Sequence, residues 1–336
     1  MAFHDNMTAV KPNRAVVLAN LGTPDSPALA DVRAYLRQFL SDKRIVAAPR
    51  AFWVPFLHLI LLRFYAPKSA ARYESIWTAD GSPQRVNTQR QADDLQSRLG
   101  AGWTVRYAMR YGTPSIDETL TALREDGVTQ VLMLSLFPQF STTTTASLQD
   151  DLNLYLKVRP STLESPLDIT WADRWGDDPP YIAACVARIE DAWQTSGRPD
   201  FDRGDKLVLS FHGVPLSCAD ARDYQGECQR TADLVLEGLG LTGNQGLVTF
   251  QSKFGPGQWL TPATIATMRE LGPRTARVDV FCPGFAADCL ETIEEIGQLN
   301  RAAFLGAGGQ EFNRIDCLNQ HPAFIDGLLS LSHAKR

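Results

Sequence analysis

Lys206–Pro215 reads KLVLSFHGVP and Arg14–Pro24 reads RAVVLANLGTP. Each begins with a basic residue, continues as an apolar run of strand length, and ends in a G-x-P turn. A second echo pairs Leu136–Pro138 (LFP) with Phe281–Pro283 (FCP). Repetition of a strand with the same exit turn points to two related halves. Ala15–Ala19, Val131–Leu136, Leu207–Phe211, Leu247–Phe250 and Val278–Phe281 are predicted strands. Most are continuous apolar runs, as strands covered on both faces require. Helical patterns lie between them at Ser115–Glu125, Asp178–Thr195, Arg230–Leu239 and Thr264–Leu271. This alternation predicts an α/β fold with parallel sheets and crossover helices. The divide falls in the polar stretch Ala172–Asp178, giving halves 1–172 and 173–336.

The chain has 336 residues, 44% hydrophobic and 21% charged, with a net charge of −5. That composition excludes a disordered or collagen-like chain and a small disulfide scaffold. The acidic balance and the lack of a basic stripe argue against nucleic acid as a partner. None of the six cysteines forms a C-x-x-C pair, so they read as reduced thiols of a cytosolic protein. The first twenty residues carry no secretory pattern. No G-x-G-x-x-G follows a strand, and no G-x-x-x-x-G-K-[ST] is present, so nucleotide-binding readings lack their fingerprint.

Of the five histidines, only His212 stands at the end of a predicted buried strand, with Gly213 leaving room beside it. Ligands of open α/β sheets bind at the carboxyl ends of strands. An imidazole there takes protons near neutral pH or binds a divalent metal; the bland alternative is a core histidine bonded to a backbone carbonyl. Cys282–Ile296 reads CPGFAADCLETIEEI, with a helix expected from near Asp288. Glu291 and Glu295 then share one face and Glu294 the neighbouring flank, a line able to accept and carry protons. The alternative makes Asp288-x-x-Glu291 a capping box. Trp259, in the loop QSKFGPGQWLTP at Gln251–Pro262, offers a flat wall for a planar ligand or is simply core. The hydroxyls of QFSTTTTAS at Gln139–Ser147 bind an anionic group or cap the next helix. Ala51–Leu62 reads AFWVPFLHLILL, flanked by Arg50, Arg63 and Lys68. Twelve residues are too few for a bilayer span, which needs about 20. The stretch is either a buried core helix or a greasy lip at a pocket or membrane surface.

One base, a line of carboxylates, an indole wall and a greasy lip suit insertion of a metal into an apolar macrocycle. Such a reaction removes two pyrrole protons, strips water from the ion and bends the ring. At this point the chain resembles the ferrochelatases, particularly their proteobacterial members, from about residue 14 to 330. The resemblance is carried by LANLGTPDSP (Leu18–Pro27), YLRQFLSDKRIV (Tyr35–Val46), GSP (Gly81–Pro83), MRYGTPS (Met109–Ser115) and LFPQFSTTTT (Leu136–Thr145). It continues through SFHGVP (Ser210–Pro215), FQSKFG (Phe250–Gly255) and the acidic segment.

The resemblance implies two Rossmann-like, chelatase-type halves related by approximate two-fold symmetry, with an apolar pocket lip over 46–66. It implies that His212 and Glu291 handle metal and protons, with Glu295 leading towards solvent. It places Leu21, Ser82, Tyr111, Trp259 and Phe285 around the porphyrin. Fe2+ and protoporphyrin IX would be the substrates; no permanent cofactor is implied. Two departures stand out. Cys289 replaces a histidine found two residues before the catalytic glutamate in some members. Thr142 replaces the first cluster cysteine of animal-type members, and no cysteine follows Cys317, so no [2Fe–2S] cluster is expected. Leucine at position 21 favours protoporphyrin, since coproporphyrin-using relatives often carry tyrosine there. The expected location is the cytoplasm, with peripheral contact at the inner face of the membrane.

Overall fold

A computed structural model of the protein describes residues 13–158, 167–255 and 257–334. Eight strands form two four-stranded parallel sheets. The first holds β1 (Arg14–Gly22), β2 (Trp103–Tyr111), β3 (Gln130–Ser135) and β4 (Asp168–Ala172), in the order β2-β1-β3-β4. The second holds β5 (Lys206–His212), β6 (Gly246–Gln251), β7 (Arg277–Phe281) and β8 (Glu311–Arg314), in the order β6-β5-β7-β8. The two orders are the same, so the repetition read in the sequence is a repetition of topology. In each sheet the chain steps from its first strand to one side and then to the other, which opens a crevice beside the carboxyl end of that strand.

The side-chain period of two decides what each sheet face buries. Val16 and Leu18 of β1 point into a large core that also takes Leu207, Leu209 and Phe211 of β5. Ala15, Val17 and Ala19 point the other way, into a core with Val131 and Met133. Val208, Val278 and Val280 fill the corresponding outer core of the second sheet. The halves therefore share one interior. Each fully buried Val or Leu contributes about 1.5–3 kcal/mol to that arrangement.

Five of the strands fall where the apolar runs predicted them. β2, β4 and β8 were not among the predicted strands. All three are edge strands, and their sequences (WTVRYAMRY, DITWA, EFNR) mix polar and apolar residues because an edge is only half covered. The helix Thr264–Leu271 has the predicted bounds, and Ile116–Glu125 opens on a capping box between Ser115 and Glu118. The helix Ala221–Gly238 starts nine residues before the predicted Arg230.

A separate cluster underlies the segment 50–76. Arg50–Phe56 is α-helical with Pro55 inside it, and Leu57–Leu61 widens into a π turn immediately after. Proline removes an N–H and clashes with the preceding turn, so a local change of winding there has an identifiable cause. Trp53, Leu57 and Leu62 are buried, whereas Phe52, Leu59 and Phe64 are 68%, 70% and 65% exposed. A buried core helix is thus excluded; the segment has one anchored face and one bare apolar face. Trp53 Nε1 donates to Leu40 O at 2.7 Å and Arg50 Nη1 to Ser41 O at 2.6 Å. Both carbonyls lie at the C-terminal end of the helix Leu29–Leu40, where carbonyls lack helical partners.

In the middle of β7, Asp279 is fully buried and receives Arg277 Nε and Nη2, Trp193 Nε1 and Asn313 Nδ2 at 2.7–3.1 Å. This network is remote from the strand ends that face the crevice. Asp279→Ala would leave the Arg277 charge buried without its main partner. The expected loss is about 3–5 kcal/mol of folding stability, read as a lower urea midpoint.

Candidate active site

β5 delivers His212 to the crevice of the second sheet, and the turn after it is tight. A Cβ on Gly213 would lie 2.7 Å from Gln251 O, so only glycine fits. The equivalent Gly22 after β1 has φ +106°, and a Cβ there would overlap Tyr111 O. His212 Nδ1 lies 2.7 Å from Gly213 O, which assigns Nδ1 as the N–H and leaves Nε2 free to accept a proton or a metal. The backbone carbonyl of His212 accepts from the Tyr224 hydroxyl at 2.9 Å. His212 is therefore bonded to a carbonyl, as the bland reading held, and is still partly exposed at the strand end.

Gln251 is the partner of His212 across β5 and β6. Its Nε2 donates to Glu291 O at 2.9 Å, and its Oε1 accepts from Ser210 Oγ at 2.7 Å. The next residue, Ser252, donates its N–H to Glu295 Oε1 (2.7 Å) and its hydroxyl to Glu295 Oε2 (2.6 Å). Ser252 achieves this with φ +66°, a left-handed conformation unusual for a residue with a Cβ. Gln251 and Ser252 thus hold the helix of Glu291–Asn300 by two adjacent grips. That helix is of π type over ten residues and starts two or three residues later than expected. Glu295 senses the charges of both Glu291 and His212. The three residues proposed from sequence as the chemical group are brought together.

The capping-box alternative is not realised. Leu290 precedes the helix without a side-chain cap. Asp288 is occupied by Arg314 Nη1 (2.6 Å), Asn319 Nδ2 (2.6 Å) and Thr292 Oγ1 (2.8 Å). Glu294, also buried, pairs with Arg72. Of the four acids in the segment, two are neutralised by arginines, and Glu295 is the one that senses His212. Cys289 is buried; burial first, then the neighbouring Glu291, pushes its thiol well above the usual range, so it stays protonated and hydrogen-bonded to Glu291.

The remaining expected residues divide. Phe285 lies with its ring centre 6.3 Å from that of His212, and the Trp259 ring packs against Gly213. Trp259 Nε1 is buried without a partner. Leu21 is partly exposed at the end of β1, in the position equivalent to His212 when the two G-x-P turns are matched. Ser82 and Tyr111 lie deeper than expected, each 1% exposed. Ser82 Oγ is within 2.8 Å of Thr23 Oγ1, and the Tyr111 hydroxyl is bound by Asp42 and Ser147. Both hydroxyls are thus engaged by the chain's own side chains. The Gln139–Ser147 hydroxyls do bind an anionic group, but it is the chain's own: Thr142 N and Oγ1 both donate to Asp220. A cavity of about 400 Å³ lies at the ends of β1 and β2, with Thr23, Tyr35, Gln38 and Gly112 in its wall. A second, of about 500 Å³, lies against the acid-bearing helix at Ile293, Gly297 and Arg301. Neither has His212, Glu291 or Glu295 in its wall.

The ferrochelatase family model matches residues 13–336. The chain belongs to the ferrochelatase family. It is therefore a metal-chelating enzyme of the lyase class, and its substrates are a tetrapyrrole and a metal ion. Among solved structures it is similar to SirB from Bacillus subtilis with Fe3+, at 12% identity and TM-score 0.54, over 96% of this chain and 95% of that one. It is also similar to the sirohydrochlorin chelatase SirB from Bacillus subtilis subspecies spizizenii in complex with cobalt (11%, TM-score 0.53, 95% and 93%). A third is CbiX, the terminal enzyme of sirohaem biosynthesis in denitrifying bacteria (17%, TM-score 0.50, 96% and 99%). At these identities the likeness is one of fold, and it agrees with the paired parallel sheets.

Gln251, Ser252 and Arg72 were missed in the sequence. The only available signal was that Gln251–Ser252 follows a strand directly, at the same depth as His212.

Burial raises Glu295 above the usual carboxylate range, with Glu291 adding to the rise, while the Ser252 bonds and His212 oppose it. A carboxyl raised by folding binds more protons in the native state, so its contribution falls as pH rises through its folded value. Glu295→Gln should therefore stabilise the fold at pH 7, with the gain shrinking towards acid pH in urea titrations. Ser252→Ala should raise Glu295 further, as read by carboxyl-carbon NMR titration.

Proposed function

We propose that the chain inserts Fe2+ into protoporphyrin IX, giving protohaem and releasing two protons. The observation that carries this reading is the meeting of His212, Glu291 and Glu295 at one strand end, beside an apolar lip. His212 Nε2 takes a pyrrole proton or holds the incoming ion, and Glu291 is its partner. Glu295, already inclined to bind a proton, receives protons from this pair and passes them along the partly exposed helix face. As each proton leaves, a ring nitrogen lone pair becomes free for the metal, and the dipositive ion replaces the two protons with charge conserved. Phe285 and Trp259 flank the imidazole and give a planar ring flat surfaces to lie on. The iron is substrate throughout.

Preference for protoporphyrin rests on Leu21 and on the bare lip side chains. A sirohydrochlorin-type ring carries many carboxylates and calls for a cationic wall. That second reading has its own support in the sirohydrochlorin chelatases among the similar folds. Comparing initial rates with the two rings decides between them, and faster insertion into sirohydrochlorin would reverse our assignment. A carrier without turnover would leave the porphyrin spectrum metal-free after anaerobic addition of Fe2+.

Zinc binds nitrogen and oxygen ligands more tightly than Fe2+, so zinc insertion should also proceed. His212→Ala and Glu291→Gln should each lower its fluorescence-detected rate by about 10²–10⁴-fold. Wild-type rates in both would remove these residues from the chemistry.

No helix among the described residues is long and apolar enough to cross a membrane. The exposed Phe52, Leu59, Ile60 and Phe64, with Arg63 and Lys68 nearby, support a cytoplasmic protein that touches anionic lipid peripherally. Sedimentation with anionic vesicles should pull down wild type and lose the F52S/F64S variant.

A further inference from the structure

The acid-bearing helix has two working faces. Glu295 is held by Ser252 and senses the charges of Glu291 and His212. Leu290, Ile293 and Glu294 turn towards the segment 50–76, where Tyr73 and Arg72 also feel the charge of Glu291. Leu290 and Ile293 join the apolar cluster of Trp53, Leu57 and Leu62. Glu294, with a side chain only 8% exposed, meets Arg72 of the helix Ala66–Ile76, which follows the lip directly. A carboxylate so buried stays charged only when paired. A second bridge runs from the same block: Tyr65 stacks edge-on to Phe254, two residues beyond the Ser252 that grips Glu295.

Building on the proposed chelatase reaction, we infer that Arg72 is a positioning residue. It locks the lip-bearing helical block to the acid-bearing helix, so that seating of the lip and placement of Glu291 and Glu295 are one event. Arg72 donates to Glu294 through Nη2, while its Nε is buried without a partner. The guanidinium's hydrogen bond goes to Glu294, and its charge also reaches Glu291 on the same helix, so it ties the block to the acid-bearing helix. Breaking the pair leaves the apolar contact of Leu290 and Ile293 in place but frees Glu294 to turn towards water. The π turns of the helix then lose the side chain that fixes their rotation about the lip. Glu291 lies two residues before the Ile293–Glu294 dock and Glu295 one residue after it, so both move with it.

The test uses full-length protein, zinc and protoporphyrin, with amide hydrogen exchange of the ligand-free protein as a readout independent of activity. Arg72→Gln and Glu294→Gln should each lower kcat by about tenfold or more with little change in porphyrin KM, as expected when catalytic groups are displaced by about an ångström. Exchange over 291–300 should rise in both variants. Arg72→Lys should recover part of the rate, and the charge-reversed pair R72E/E294R most of it. Unchanged kcat and exchange in both single variants would overturn the inference. So would a higher porphyrin KM at constant kcat, which would make Arg72 a substrate contact, or a rate that the reversed pair fails to restore. If wild type inserts no metal, the proposed function fails; the exchange measurement still decides whether the latch exists.

Discussion

Four carboxylates within eight residues, all close to one helix start, set the problem that the rest of the molecule solves. Asp288, Glu291, Glu294 and Glu295 crowd like charges into a short, partly buried segment, which costs free energy unless the charges are given partners. The fold separates them by partner. Asp288 and Glu294 receive arginines, one from β8 and one from the lip-bearing block. Glu295 receives a serine, which holds it with hydrogen bonds but brings no positive charge. The two paired acids fix the segment in space, and Glu295 is left with hydrogen bonds alone.

The near-repeat of topology makes the asymmetry of the site informative. Matching the turns after β1 and β5 puts Leu21 where His212 stands. One half offers an aliphatic side chain at its strand end and the other offers an imidazole. The duplicated architecture supplies two crevice walls, and only one needs to carry the chemistry.

Legibility in the sequence followed burial. Strands covered on both faces, such as β1, β3 and β5, declare themselves as unbroken apolar runs; edge strands such as β4 and β8 do not. His212 was readable because a strand end aims it, and Glu291 and Glu295 because their spacing survives the change from α to π winding. The winding itself was not readable, nor was the late helix start that frees Asp288 for Arg314. Ser252 looks like an ordinary loop serine until its left-handed backbone and the position of Glu295 are known together. Arg72 is more than two hundred residues from its partner, and nothing local marks it. The lip was ambiguous because composition reports apolarity but not which face is covered.

The interior shared by the two halves limits how the molecule can admit a bulky guest. Val16 and Leu18 of one sheet and Leu209 and Phe211 of the other belong to a single apolar body. Parting the halves like the shells of a clam would wet all of it, and thermal motion does not supply such an energy. The outboard cluster under the Trp53 helix is much smaller, so it carries far less of this constraint. The shared interior therefore sets the spacing of the two crevice walls as firmly as a covalent link would.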